Sequence, residues 1–198
     1  MADEATALLA LWNDVEPALD SRYNDWHASE HVPERLTVPG MLWGRRYGRA
    51  ASEGAPRYLT LYGLRAADVL DSEPYQRLLR EPTPVSRTMR PALRHVSRWV
   101  CTLHEATGLD HGSELAVWTL ADDDKRVRAA RDALGEMPGV HGCLLAERLQ
   151  QASPLPWLQA DQDRGIEGRW LLAAAIDAGH RPAGPNAAVS VFARLPVG

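Results

Sequence analysis

The sequence predicts an α+β fold made of two similar halves, and three observations support this prediction. In the first half, apolar runs and helical patterns follow the order strand, helix, strand, strand, helix, strand. The pattern begins again after a small polar joint at residues 108–112. In each half an apolar-Pro-Gly-apolar segment, at 38–41 and at 137–140, leads into a predicted strand. We therefore predict an internal duplication with a spacing of roughly a hundred residues.

The first half is predicted to contain four strands and two helical regions. The predicted strands are residues 5–13, 41–49, 57–63 and 99–105. The first helix has Asp20 as its N-cap and ends near Val32, because Pro33 disfavours helical backbone angles at the residue before it. The second helical region consists of helices at 66–80 and 85–97, the latter with Pro91 inside it. This order of elements is that of a ferredoxin-like unit.

The second half repeats this order incompletely. Its predicted elements are strands at 114–120 and 137–148, a helix at 122–136, and strands at 169–177 and 188–195. The connection at 179–186 is too short and too rich in Pro and Gly to form a second helix. We therefore predict two domains, with residues 1–107 as the complete half and residues 113–198 as a degenerate half.

Composition places the chain among ordinary globular proteins. Of its 198 residues 45% are hydrophobic and 24% are charged, and the formal net charge is −4. The negative charge argues against non-specific binding to nucleic acid, and no apolar run reaches the roughly 18 residues of a membrane span. The N-terminus lacks the basic segment of a signal peptide. We expect a cytoplasmic protein with neither a nucleic-acid nor a membrane partner.

One predicted helix carries ionisable groups where apolar ones are expected. On a helical wheel, the face that carries Tyr23 and Trp26 also carries Glu30, and His27 and His31 lie at the edge of this face. An amphipathic helix normally directs such groups to the opposite side. Imidazole titrates near neutral pH, so we predict His31 as an acid–base group that Glu30 and His27 assist.

Two other interpretations of these histidines stay open. Both side chains could cap the helix C-terminus by bonding to its last carbonyl groups. Alternatively, His27-x-x-Glu30-His31 matches the inverted pattern of zinc hydrolases, in which two histidines bind the metal and the glutamate is the base. A third ligand would then come from an unmarked acidic residue downstream. We expect no cofactor, and any metal would be held by His27 and His31.

Residues 26–34, followed by 38–40 and 44–47, resemble the first helix and second strand of EthD-like proteins in the dimeric α+β barrel superfamily. In that comparison His31 is the characteristic histidine, and His27 stands where an aromatic residue is usual. The resemblance implies that the sheets of two ferredoxin-like units curl into one barrel with the helices outside. Two chains form this barrel in most relatives, so here either a monomer with an intramolecular barrel or a homodimer is expected.

The resemblance also implies a ligand pocket between the concave face of the sheet and the elements that cover it. Trp43, Arg45 and Tyr47 alternate along one strand, so they would share a face and offer a cation and aromatic groups to an anionic or phenolic ligand. In the opposite register Arg46 would take their place, and the arginines could also form a solvated ladder. The predicted substrate-binding residues are Tyr23, Trp26, Trp43, Arg45, Tyr47 and Tyr62.

Relatives in this superfamily include cyclases, isomerases, decarboxylases, cofactor-free monooxygenases and haem-binding enzymes, so the fold alone narrows the function little. We predict a cofactor-independent enzyme of secondary metabolism. It would use histidine acid–base chemistry to cyclise, isomerise or decarboxylate a small aromatic or polyketide-like compound. The alternatives are cofactor-free oxygenation at the same residues, a non-catalytic ligand-binding protein, and a metal-dependent hydrolase.

Overall fold

The computed structural model describes residues 4–50, 56–150, 155–160, 162, 165–185 and 188–197. Its strands are β1 (Ala7–Val15), β2 (Met41–Gly48), β3 (Tyr58–Leu64), β4 (Leu93–Ala106), β5 (Glu114–Leu120), β6 (Val140–Arg148), β7 (Trp170–Ile176) and β8 (Ser190–Leu195). Its α-helices are α1 (Asp20–Trp26), α2 (Val32–Leu36), α3 (Glu73–Arg80), α4 (Pro84–Met89) and α5 (Asp124–Gly135). A π-helical turn, His27–His31, joins α1 to α2.

In the described part of the chain, eight antiparallel strands form one closed barrel in the order β1-β3-β2-β8-β5-β7-β6-β4. The first half contributes β4-β1-β3-β2 and the second contributes β8-β5-β7-β6, which is the same order counted within each half. Ladders between β2 and β8 and between β4 and β6 join the halves. These observations confirm the predicted α+β fold, in which two ferredoxin-like halves form a dimeric-α+β-barrel arrangement. The barrel closes within one chain, which the sequence had left open. The residue bounds given to the two domains stay a prediction.

The second half is the simpler one, as predicted. Between β7 and β8 the described residues contain no helix, and residue 186 of the predicted connection lies outside the described residues. The second-half sheet is therefore covered by α5, whereas α1 to α4 cover the first-half sheet. No helix of the described residues is long and apolar enough to cross a membrane.

Side chains from both halves fill the barrel interior. Neighbouring residues of a strand point to opposite faces, so each strand gives alternate residues to the interior. Trp12 and Trp99 meet there edge to face, with ring centroids 5.4 Å apart. They pack in the same cluster as Leu59 from the first half and Leu171 and Phe192 from the second. The interior is therefore a core that the two halves share.

The predicted helix at 85–97 is wrong in its second part. The helix α4 ends at Met89, a short 3-10 turn spans Arg90–Ala92, and β4 begins at Leu93. Pro91 explains the early end, because proline cannot donate a backbone hydrogen bond and its ring clashes with the preceding helical turn. The freed residues extend β4 to 14 residues.

The prediction that the first helix ends near Val32 is also wrong. The chain passes through the π turn and continues as α2 to Leu36. In a regular α-helix the ring of Pro33 would clash with the carbonyl group of Ser29, and Pro33 has no N–H to donate to it. The wider turn avoids this conflict, since the N–H of Val32 bonds to the carbonyl of His27, five residues earlier. Pro33 therefore widens the helix instead of ending it.

Candidate active site

A small cavity lies between the outer face of the first-half sheet and the helices that cover it. Its volume is about 50 Å³, room for on the order of three or four water molecules. Residues of β1, α1, the π turn, α2, α3 and β4 supply most of its wall, and Leu155 and Trp157 of the second half complete it. The cavity is thus built mainly by the half that carries the predicted motif.

The π turn brings the aromatic rings of the motif together at this cavity. The ring centroid of His27 lies 5.0 Å from that of Tyr23 and 4.8 Å from that of His31. The centroid of His31 lies 4.6 Å from that of Trp26. Tyr23 is anchored to β1, because its hydroxyl donates a hydrogen bond to Asn13 Oδ1 at 3.1 Å. All five side chains line the cavity, and π turns are frequent at functional sites.

Both histidines of the motif are neutral at physiological pH. Burial lowers the pKa of His27 well below 6.5, and the charges of Arg46 and Arg35 lower it further. Burial also lowers the pKa of His31 well below 6.5, and Arg35, His27 and Arg90 add to the effect. The Nδ1 atom of each ring is buried and has no hydrogen-bond partner among the described residues. Each neutral ring can therefore bond to a ligand or accept its proton.

Glu30 does not accompany the histidines as predicted. Its Oε1 atom accepts hydrogen bonds from Trp26 Nε1 at 3.1 Å, Thr83 Oγ1 at 2.5 Å and Ser86 Oγ at 3.2 Å. These bonds tie the π turn to α4, and Glu30 is not among the described residues that line the cavity. Glu30 thus holds Trp26 and the π turn in place, and its part in proton transfer stays a prediction.

Two buried arginines line the cavity, and sequence reasoning identified neither. Arg35 forms an ion pair with Glu34 at 2.9 Å. Arg90 donates to the backbone carbonyl oxygens of Leu79 at 2.8 Å and Leu78 at 2.9 Å, at the end of α3. Burial lowers the pKa of Arg90 to about 10, so its guanidinium stays charged at neutral pH. Within the described residues Arg90 makes no ion pair.

The cavity wall therefore carries positive charge. None of the described residues that line it is Asp or Glu. Arg35 lies one helical turn after His31, so a helical wheel could have placed it on this wall. No local pattern marks Arg90, because its position depends on the turn that Pro91 imposes after α4.

Trp43, Arg45 and Tyr47 do not line this cavity, contrary to the prediction. They share a face, as expected for alternate residues of β2, but that face points into the barrel. The guanidinium carbon of Arg45 lies 4.2 Å from the ring centroid of Trp43, and Arg45 pairs with Asp110 at 2.8 Å. The opposite register, with Arg46 toward the helices, is the one observed. Arg46 is only 2% exposed, so the idea of a solvated arginine ladder is also wrong.

Tyr62 faces the helices without reaching the cavity wall. Its side chain is buried, its hydroxyl has no partner among the described residues, and burial raises its pKa. Of the six predicted substrate-binding residues, Tyr23 and Trp26 alone are among the described residues that line the cavity.

The geometry does not fit the zinc-hydrolase pattern. Among the residues that the structure describes, no group of three or more His, Cys, Asp or Glu side chains is arranged to hold a metal ion. The glutamate of the pattern, Glu30, instead accepts hydrogen bonds from Thr83 and Ser86 at the start of α4. Haem does not fit this cavity either. Pockets for drug-sized molecules measure about 300–1,000 Å³, and this cavity measures about 50 Å³.

The closed eight-stranded antiparallel barrel with helices outside is the fold of dimeric α+β barrel proteins. An anthrone oxidase-like protein of solved structure superposes with a TM-score of 0.59 and 11% identity, over 98% of this chain and 94% of that one. A protein assigned as a chlorite dismutase superposes with a TM-score of 0.54 and 9% identity, over 96% and 94%. A protein assigned as a monooxygenase of Lactobacillus acidophilus superposes with a TM-score of 0.51 and 8% identity, over 96% of this chain and 93% of that one.

No family model and no curated protein sequence matches the chain. Identities as low as these show that the fold is shared and leave the function open.

Proposed function

We propose that this chain is a cofactor-independent enzyme that moves a proton on a small molecule, with His31 as the acid–base group. The observation that carries the proposal is a pair of neutral imidazoles in a cavity whose wall also holds two buried arginines, with neither Nδ1 atom bonded to any described residue. Histidines that only capped the helix would bond to backbone carbonyl groups. Within the described residues, neither His27 nor His31 makes such a side-chain hydrogen bond.

The charges around His31 suit proton removal. His31 would take a proton from carbon or oxygen of the substrate, which leaves an imidazolium and an enolate or phenolate. The positive potential that keeps the free imidazole neutral would stabilise the substrate anion, and that anion would in turn stabilise the imidazolium. Return of the proton to a different atom would complete an isomerisation or cyclisation. In a decarboxylation His31 would take the proton of the substrate's carboxyl group as CO2 leaves and would then return it to the carbanion.

The volume of the cavity restricts the substrate. An apolar cavity of about 150 Å³ binds benzene, and this one measures about 50 Å³. A small substrate would fit the cavity as it stands. An aromatic or polyketide-like substrate, which the EthD-like resemblance favours, would require side chains of the wall to move aside.

Cofactor-free oxygenation is the second candidate, and the descriptions of three structural neighbours are compatible with it. One of them is described as anthrone oxidase-like and two are assigned as monooxygenases. Removal of a proton by His31 would give an electron-rich substrate anion that dioxygen could oxidise. The two candidates therefore share the first step and differ in the fate of the anion.

Deuterium exchange tests the first step without knowledge of the natural substrate. The protein would be incubated in D2O with ketones of graded size, from acetone to anthrone, and deuterium next to the carbonyl group measured by mass spectrometry. We expect exchange above the buffer rate with at least one ketone, lowered about 10²–10⁴-fold in His31→Gln. The matched control is His111→Gln, which changes an exposed histidine and should retain the rate.

Three outcomes separate the candidates. Exchange at the buffer rate for every ketone would contradict the proposal and favour a ligand-binding protein without catalysis. Equal exchange in His31→Gln and in the unchanged chain would remove His31 from the mechanism. Uptake of dioxygen during the same incubations, measured with an oxygen electrode, would favour oxygenation.

A further inference from the structure

Besides the histidines, two side chains of the cavity wall carry a buried nitrogen atom that makes no hydrogen bond within the described part of the chain. The Nε atom of Arg90 and the Nε1 atom of Trp157 are buried and have no hydrogen-bond partner among the described residues. Both side chains line the cavity, and the guanidinium carbon of Arg90 lies 5.3 Å from the ring centroid of Trp157. Each nitrogen can only donate. Buried donors without an acceptor are unfavourable, so two neighbouring ones indicate a ligand that supplies the acceptor.

The position of Arg90 is fixed from two sides. One N–H of each terminal nitrogen bonds to the carbonyl group of Leu78 or Leu79, and the Nε–H has no acceptor among the described residues. Gln162 of the second half holds the backbone of the same turn, since its Nε2 donates to the carbonyl oxygens of Arg90 at 3.1 Å and Leu93 at 2.8 Å. Arg90 is 6% exposed and Gln162 is 3% exposed. The Nε–H group of Arg90 is therefore already held in position before a ligand binds.

We propose that Arg90 and Trp157 form a subsite for an anionic oxygen, and that the substrate of the His31 reaction carries a carboxylate or phenolate group that binds there. This inference rests on the proposed function, because it names the substrate class of the same cavity. The guanidinium would balance the charge of the anion, and the indole N–H would add a second donor. The described residues of the wall include no Asp or Glu, so no carboxylate there would repel an anion.

The dimensions of the cavity agree with this assignment. A volume of about 50 Å³ holds on the order of three or four non-hydrogen atoms, the size of a carboxylate with its attached carbon. The subsite also gives the second half a part in the site. Trp157 comes from that half and closes a cavity that the first half builds.

Binding of matched charged and neutral molecules to the full chain tests the subsite. Acetate would be compared with acetamide, benzoate with benzamide, and 4-nitrophenolate with nitrobenzene, by NMR titration of the indole N–H signals. We expect at least one anion to bind ten or more times tighter than its neutral partner. A preference in the acetate or benzoate pair identifies a carboxylate, and one confined to the nitrophenolate pair identifies a phenolate.

Two variants and one control assign the effect to the subsite. In Arg90→Gln the tenfold preference for the anion should disappear, so that the anion and its neutral partner bind about equally. The control Arg87→Gln changes an exposed arginine of α4 and should retain the preference. Loss of Arg90 also removes two contacts to backbone carbonyl groups, so Trp157→Phe supplies a second variant that keeps a ring and removes only the N–H. It should weaken anion binding about threefold to tenfold and leave binding of the neutral partner unchanged.

The outcomes distinguish this inference from the proposed function. Equal binding within every pair, or a preference that survives in both Arg90→Gln and Trp157→Phe, would overturn the subsite. If the preference depends on Arg90 but deuterium exchange is absent, the subsite stands and the proposed function fails. If exchange depends on His31 but no anion is preferred, the proposed function stands without this subsite.

Discussion

At the scale of single residues, surroundings decide what each ionisable side chain of the motif can do. Glu30 and His31 are neighbours in sequence, yet Glu30 accepts a hydrogen bond from α4 whereas His31 lines the cavity. His27 and His31 share the cavity and its positive potential, which together with burial keeps both rings neutral. The candidate chemistry therefore comes from burial beside arginines, and residue identity alone would not have revealed it.

The lowered pKa values of His27 and His31 predict a stability that falls in mild acid. Their pKa in the folded chain lies below the value of about 6.5 in the unfolded chain, so the unfolded chain binds protons first as the pH falls. Stability is complete above about pH 6.5 and is lost as the pH falls toward the folded pKa, at up to about 1.4 kcal/mol per pH unit for each histidine.

His27→Phe isolates this effect, because it removes one titrating ring and keeps an aromatic side chain. Between pH 7.5 and 5.5 we expect the free energy of unfolding to fall by about 1 kcal/mol less in His27→Phe than in the unchanged chain. Urea denaturation at the two pH values measures it. His111→Gln, at an exposed position, should match the unchanged chain. Identical losses in all three proteins would show that His27 is not held neutral by the fold.

At the scale of elements, two local features direct the side chains of the site. The π turn that Pro33 imposes sets the rings of His27 and His31 side by side, 4.8 Å apart. On the neighbouring strands, Trp43 packs over Gly63 inside the barrel. This packing turns one face of β2 away from the cavity, which is why three of the six predicted substrate-binding residues, those of β2, lie inside the barrel.

Gly63→Ala tests the orientation of β2. A Cβ atom at Gly63 would lie 2.1 Å from a ring atom of Trp43, so the ring or the strand would have to shift. We expect the free energy of unfolding to fall by about 1–3 kcal/mol, as for other overpacked cores. The control is Gly165→Ala, where the added atom meets nothing within 4 Å. Adding Trp43→Leu to the Gly63→Ala variant should restore part of the lost free energy of unfolding. If the losses of the two single variants simply add in the double variant, the contact between Gly63 and Trp43 is contradicted.

At the scale of the whole molecule, the barrel makes the two halves depend on each other. The edge strands of the first half, β2 and β4, pair with β8 and β6 of the second. The interior cluster takes side chains from both halves, and Leu155 and Trp157 reach across to the cavity. A barrel closed within one chain also satisfies the strand edges that two chains would otherwise pair.

We therefore expect the chain to unfold in one cooperative transition. Tryptophan fluorescence and far-ultraviolet circular dichroism should give coincident urea curves. Because the barrel is intramolecular, the midpoint should not depend on protein concentration, as it would for an obligate homodimer. Two separate transitions would show that the halves are independently stable, and a midpoint that rises with concentration would indicate a dimer.

Local patterns were enough to predict the class of fold and the location of the motif. Strand and helix periods, the repeated Pro-Gly segment and the Pro/Gly-rich final connection predicted an α+β chain with two ferredoxin-like halves, and the barrel confirms it. These features depend on neighbours in sequence, which is why they can be read from it. The sequence also singled out four of the cavity residues, because ionisable and aromatic groups on one helix face stand out in any context.

Tertiary structure alone decided which residues share the cavity. The face of β2 depends on packing against β3, the partners of Glu30 come from α4, and Arg90 and Trp157 arrive from two distant segments. Even the path of the first helix was open, since Pro33 can end a helix or widen it and packing selects the outcome. Contacts between residues far apart in the chain leave no local pattern, so the charge and size of the cavity became visible only in the folded molecule.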